Sequence, residues 1–343
     1  MAASSARRPG GARRAFVAVA AIAILLAAAL SGVWYYLANR LDGAVQAAIE
    51  AAAGTGTTIA CERQEVFGYP FRLGLRCEAV GVEAPAKELK AAAGALRTAA
   101  QVYDPSRIVA ELDGPLLLDT PKTPPLDIRW RLFQASAHFW TEGVDRLALV
   151  IEGPDVALAG RAGTRTTLAT SDHLEVHARR NGADLDFALS DDGVKAAQPE
   201  LASLPPFGVA ADLSVTGAAD WLSGERPGDT LGEALRGRAG TIRSLKLAFA
   251  GTGAGSAEVS GPFSVDGDGQ ISGRFAIALT DPAAIADLAG RLVPEAEGIA
   301  GTIASGIGLV GRTENGRTLV EIDVKRGRAS LGFIPLGKLP QIE

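Results

Sequence analysis

An uninterrupted apolar run, AFVAVAAIAILLAAALSGVWYYL from Ala15 to Leu37, constrains this chain more than any other feature. It carries no charge, and at about 1.5 Å per residue a helix of that length crosses about 30 Å of hydrocarbon. Arg7, Arg8, Arg13 and Arg14 precede it, whereas Arg40 and then Asp42 follow. Basic flanks stay on the cytoplasmic side, so this bias puts residues 1–14 inside as a basic tail, the anchor at 15–37, and all later residues outside. Trp34, Tyr35 and Tyr36 fall together at the exit, where amphipathic rings favour the headgroup level. A cleaved signal peptide is the competing reading, with Ala27-Ala28-Ala29 as its small residues. Cleavage there would leave Trp34 to Leu37 as an apolar new terminus, which favours an uncleaved single-pass anchor.

The cysteines fit an oxidising compartment. There are two, Cys61 and Cys77, each in a segment of strand character, with Gly68 and Pro70 forming a turn between them. Two strands joined at that turn bring the thiols together, and outside the cytoplasm they can pair as a disulfide. Two buried free cysteines are the alternative. A metal site is disfavoured, since no histidine lies nearby.

After the anchor, LDGAVQAAIEAAAG has helical spacing and ends at Gly54-Thr55-Gly56, which predicts a juxtamembrane helical stem over 38–56. From residue 57 to 343 the pattern becomes predominantly β. In PFRLGLRCEAVGVEA, Phe71, Leu73, Leu75 and Cys77 share one face and Arg72 and Arg76 the other, as on a half-buried strand. LDIRWRLFQASAHFW reads the same way, with Ile128, Trp130 and Leu132 on one face. These two sets are the candidate lining of a groove, or else ordinary core. The stretch Lys87 to Val102 reads as two strands around Gly94, although its alanines also favour helix. Asn181-Gly182 and Asn315-Gly316 are strong hairpin signals. Two stretches, 185–217 and 273–312, read as strand, short helix, strand, with Ser190-Asp191 and Thr280-Asp281 as helix N-caps. Their similar punctuation suggests an internal repeat. A further short helix is expected over Asp229–Gly237.

Chemistry is harder to find. Aromatic residues make up 6% of a chain that is 47% hydrophobic, which suits thin aliphatic strands better than one deep aromatic core. A net charge of −5 without a basic stripe leaves no footprint for nucleic acid. His173 and His177 share a strand face but stand well apart, and a zinc site needs a third ligand. Gly251-Thr252-Gly253-Ala254-Gly255 is followed by another strand, not by the helix a dinucleotide site needs. Asp266 and Asp268 imitate the start of a calcium loop, yet its twelfth position is Ile277. No G-x-S-x-G elbow occurs. The expectation is therefore no catalytic residue, no cofactor and no metal.

Three stretches together carry a resemblance: CERQEVFGYPFRLGLRCEAVGVEAP, AGALRTAAQVYDPSRIVAELDGP and the terminal LGFIPLGKLP. They resemble the alphaproteobacterial membrane-anchored family known as domain of unknown function 2125. That likeness implies an inner-membrane, periplasm-facing protein and no assigned activity. A looser likeness to AsmA-type envelope proteins implies a curved sheet with an apolar concave face that accommodates lipid, on fold-level analogy alone. The combined expectation is a mainly β fold with some α: a transmembrane helix, then a curved, largely antiparallel sheet with short packed helices. Functionally it is a non-enzymatic protein binding lipid or another apolar ligand in a sheet-lined groove. The alternative is a structural or assembly factor that contacts other envelope proteins.

Overall fold

The computed structural model describes residues 10–342 except 141–142, 161–162, 200, 202–203, 226, 229, 252–254, 283–284, 286–311 and 315. Anchor and stem form one helix, α1 (Gly10–Gly54), whose alanines and leucines cost little to fix in helical form. It stops where Thr55 and Thr57 donate their N–H groups to the Ala52 carbonyl, each at 3.0 Å. Gly56 then takes a left-handed φ of +77°, open to glycine without strain. Phe16, Leu25 and Leu26 stand exposed along its first half. A core helix would bury them, so the helix has both the composition and the exposure of a membrane span.

The rest is one open antiparallel sheet. Its strands are β1 (Thr58–Cys61), β2 (Glu65–Phe67), β3 (Arg72–Cys77), β4 (Val80–Ala84), β5 (Leu89–Ala93), β6 (Leu96–Gln101), β7 (Asp104–Leu112) and β8 (Leu116–Thr120). Then come β9 (Thr123–Arg129), β10 (Leu132–Trp140), β11 (Gly143–Glu152), β12 (Asp155–Ala159), β13 (Arg165–Thr170), β14 (His173–Asn181), β15 (Asp184–Ala196) and β16 (Phe207–Val215). The series ends with β17 (Ala239–Phe249), β18 (Ser256–Val265), β19 (Ile271–Thr280), β20 (Arg312–Glu314), β21 (Arg317–Lys325), β22 (Arg328–Leu331) and β23 (Ile334–Lys338).

Pairing divides the first part of this sheet into two walls. Wall A runs β1-β4-β5-β8-β9-β12-β13. Wall B runs β2-β3-β6-β7-β10-β11-β14-β15-β16 and continues through β17, β18, β19 and β21. Neighbouring strands such as β3 and β4, or β7 and β8, are two legs of one path that bends from one wall into the other. Backbone bonding continues through the bends, as in Glu78 N–H to Glu62 O at 2.7 Å and Asp113 N–H to Ala95 O at 2.9 Å. The sheet is thus folded over along a crease, leaving a trough between its walls. β15 is the last strand to bend, at Gly193, where φ is +69° and the Asp172 carboxylate fills the space a side chain would need.

Two readings from the sequence change here. The segment after Ser190-Asp191 is not a helix: both residues lie inside β15, which runs on to Ala196, because their backbones pair with β14 and β16. Ladder bonds on both sides outweigh the capping tendency of Ser and Asp. The second such helix lies mostly outside the described residues; its first strand is β19. The expected short helix does form, as α2 (Leu231–Leu235), with Thr230 and Glu233 in a reciprocal capping box. Lys87 to Val102 holds β5 and β6, two strands around Gly94, as read.

Candidate functional site

The two faces of the folded sheet differ in chemistry. On wall B, Ala110, Ala135, Leu149, Val176, Leu189 and Ala211 stand opposite one another on successive strands. Leu245, Val259, Ile277 and Val320 extend that line to β21. Directly opposed side chains on one sheet face touch, so this is one continuous aliphatic stripe. A second line beside it holds Leu112, Phe133, Ile151 and Leu174 before it meets Asp191. On wall A, Ile59, Val82, Ala91, Leu118, Leu126 and Leu158 form the matching line. All these faces look into the trough.

The outward faces carry the charge. Asp186 accepts from Arg179 Nε at 3.0 Å and Arg243 Nη1 at 3.2 Å, and is almost completely covered. Burial pushes its carboxyl up, but the two guanidiniums outweigh that and hold it below the usual carboxylate range. Asp127 on wall A is likewise held low, first by Arg129 at 2.9 Å and then by Arg165. His173 lies between Glu175, 3.0 Å away, and Glu152, 2.8 Å away, and their carboxylates raise its pKa in that order. Among the described residues no cluster of three His, Cys, Asp or Glu has the geometry to hold a metal.

Near the crease the trough deepens into a cavity of about 420 Å³. Leu75, Leu96 and Leu112 line it from wall B, Ile59, Val82 and Leu116 from wall A, and Val45 and Ile49 of α1 close its end. The Cys61–Cys77 disulfide lies in this lining. Cys61 ends the first strand of wall A and Cys77 ends β3 of wall B, so the bond ties the walls together at the crease.

Residues 34–340 match the family described as an uncharacterized protein conserved in bacteria, DUF2125. The chain belongs to that family. The match begins at Trp34, so it takes in the aromatic C-terminal end of the span, the helical stem and the folded sheet. No curated protein matches the chain.

Within this DUF2125 chain the candidate lining residues are dispersed more than their sequence spacing suggested. Leu73 stands opposite Ala100, on the inward face of wall B, and Leu75 lines the cavity. Phe71 lies before β3, in the turn, and is exposed. Ile128 pairs with Val156 and Leu116 on the inward face of wall A. Trp130 sits in the bend, its indole N–H donating to the Leu112 carbonyl at 2.8 Å and its ring beside Phe133. Leu132 then alternates with Phe133 and points outward. The expected common face of Ile128, Trp130 and Leu132 is therefore broken, because the bend adds a residue and reverses the alternation, as a bulge does.

Sequence reasoning missed the bends and the stripe they create. A signal was present. Asp113-Gly114-Pro115 and Glu152-Gly153-Pro154 mark two bends out of wall B, and Asp192-Gly193 marks a third. These stand roughly 40 residues apart, a spacing typical of stacked supersecondary units. Glycine supplies the positive φ at Gly153 and Gly193, and proline withholds the N–H that would prolong the pairing.

Proposed function

We propose that this chain is a non-enzymatic, membrane-anchored protein of the bacterial envelope that holds lipid acyl chains, or a similarly apolar ligand, in the trough between its walls. One observation carries this reading: the aliphatic stripe from Ala110 to Val320 is continuous, and from β7 to β15 its residues stay partly exposed. Apolar surface in water costs roughly 25 cal/mol per Å², and a contiguous exposed patch marks a binding surface. An acyl chain needs no polar partner and can lie along such a stripe. The charged residues of the walls support holding rather than chemistry, since apart from Asp191 those described above lie outward in ion pairs. Four arginines before the span support a cytoplasmic N-terminus in the inner membrane, and the disulfide supports a periplasmic sheet.

The test is photo-crosslinking of the full chain in membranes containing a phospholipid with a diazirine in its acyl chain. Crosslinks are expected on inward residues such as Leu149 and Val176 as well as on α1, and Leu149→Arg should remove most of those on wall B. Crosslinks confined to α1, unchanged by that substitution, would refute the trough as a lipid site. A stable crosslink to another envelope protein in their place would instead favour an assembly role.

A further inference from the structure

Apart from Phe333, between β22 and β23, the most exposed aromatic residues of the sheet gather at one rim. Wall B ends in a row of turns, and the three turns nearest α1 carry Tyr69 and Phe71, then Tyr103, then Trp140. Their exposures are 54%, 61%, 76% and 68%. These turns are neighbours: Val102 N–H donates to the Phe71 carbonyl at 3.0 Å, and His138, two residues before Trp140, pairs with Arg107 at the start of β7. With strands about 4.8 Å apart and two strands to a hairpin, successive tips lie about 10 Å apart. Farther along wall B the tight hairpin turns become polar, with Asn181-Gly182 and then Asp266 to Gly269, and the longer β16–β17 connection between them exposes Leu231 but no aromatic ring to the same degree. The turns of wall A carry Pro85 to Glu88 and Thr120 to Thr123, with Lys87, Glu88 and Lys122. Among the described residues, exposed aromatic side chains other than Phe333 therefore mark one rim, in its part next to the anchor.

The first of these turns is fixed to α1 at the exit of the span. Trp34 Nε1–H donates to the Arg72 carbonyl at 2.6 Å. The Tyr69 hydroxyl lies 2.7 Å from Ser31 Oγ, and the Tyr69 ring stands edge-on to Trp34 at 5.4 Å. An apolar run ending at Leu37 holds Trp34 and Tyr35 at the headgroup level, so Tyr69 and its turn are held there too. From Trp34, α1 runs on to Gly54, four residues before wall A begins at Thr58, about 30 Å at 1.5 Å per residue. The rim of wall A is carried away from the bilayer by that length.

We infer that the aromatic rim of wall B lies in the bilayer interface, extending the belt of the anchor helix sideways so that the sheet rests on the membrane along one edge of the trough. Rings that are apolar over most of their surface and polar at one end favour that layer. The right-handed twist of the sheet turns later tips out of the plane, which accounts for aromatic residues stopping at the third hairpin. The inference rests on the rim and the anchor and stands whatever the trough holds.

The test uses the full chain in vesicles of phosphatidylethanolamine and phosphatidylglycerol, with its disulfide intact. Nitroxides are placed singly by Tyr103→Cys, Asp104→Cys and Lys122→Cys. Collision with a water-soluble nickel chelate should be several-fold lower at 103 and 104 than at 122, with oxygen collision higher. Because Tyr103→Cys removes one of the proposed contacts, Asp104→Cys keeps every ring in place. The fluorescence lost on Trp140→Phe reports Trp140 itself, and should be quenched by lipids brominated near the headgroup and little by aqueous iodide. Equal nickel accessibility at 103, 104 and 122, or free quenching of Trp140 by iodide, would overturn the inference. Loss of lipid crosslinking in the trough with these readings intact would refute only the lipid-holding role.

Discussion

The strands before and after the start of β15 present the same kind of inward face and finish it differently. After that point, Leu279, Val320, Ile322, Val324, Leu331 and Leu336 close into one buried cluster, with β22 and β23 folded against β21. Leu185, Val215, Ala218 and Leu222 form a second cluster beneath a 3-10 turn at Ala219–Ser223. Before it, the described hydrophobic residues of the sheet that are fully buried are Cys77, Ala84 and Ala157, all small. The aliphatic stripe is continuous across both regions, so composition does not separate them. The difference lies in what covers it: the stripe stays at least partly open through Leu245 and Ile277 and is buried at Val320, where the C-terminal cluster closes on it. The C-terminal strands make a conventional core, and that core can hold the N-terminal walls apart at an apolar surface which would otherwise collapse.

The largest expected effect is on the closed side. Ile322→Ala should cost about 3 kcal/mol of unfolding free energy, as for a buried branched side chain whose cavity relaxes only partly. Urea denaturation of the full chain in micelles, followed by near-ultraviolet circular dichroism, measures it. The disulfide comes next and acts on the open side. It closes a loop of separation 16, so Cys61→Ala should cost about 3 kcal/mol through the freed unfolded chain. The parent under reducing conditions should match that variant. A parent indifferent to reductant would mean that the crease holds without its covalent tie.

Leu149→Ala sharpens the comparison most directly. Its side chain lies on the stripe but is only partly covered, so the loss should be about 1 kcal/mol, less than half that of a core truncation. A cost equal to that of Ile322→Ala would mean that the trough is packed shut. Added phospholipid should widen the gap between parent and variant, because a ligand that binds only the folded state stabilises it by mass action.

The same contrast separates what was legible in the sequence from what was not. Strand alternation, the turn at Gly182, the helix from the anchor into the stem and the pairing of Cys61 with Cys77 could each be read from local pattern, and each is present. The bends could not. PFRLGLRCEAVGVEA reads as one strand, yet it divides into β3 on wall B and β4 on wall A, because alternation says which face a residue takes and nothing about where a strand turns. Leu132 was misplaced for the same reason. Whether an aliphatic face is covered or open depends on packing between segments far apart in the chain, and no window around Leu149 or Ile322 distinguishes them.

The smallest effect tests Asp191, the carboxylate at which the second aliphatic line stops. Asp191 stands between Leu174 and Val209 on the inward face, and its Oδ1 is buried with no hydrogen-bond partner among the described residues. Burial raises its pKa, and a hydrogen bond from Ser171 offsets part of that. An acid whose folded pKa is raised costs stability while it is ionised. The cost is full above the folded pKa, fades as the pH falls through it, and is gone below the unfolded value of about 3.9. Asp191→Asn should therefore raise Tm slightly at pH 7.5, a stability gain of well under about 1 kcal/mol after solvent screening, and the gain should shrink towards pH 4. A gain independent of pH would assign the effect to shape rather than charge. A loss of stability at pH 7.5 would mean that the carboxylate is wanted in the trough, whose apolar face would then carry a fixed polar point beside the stripe.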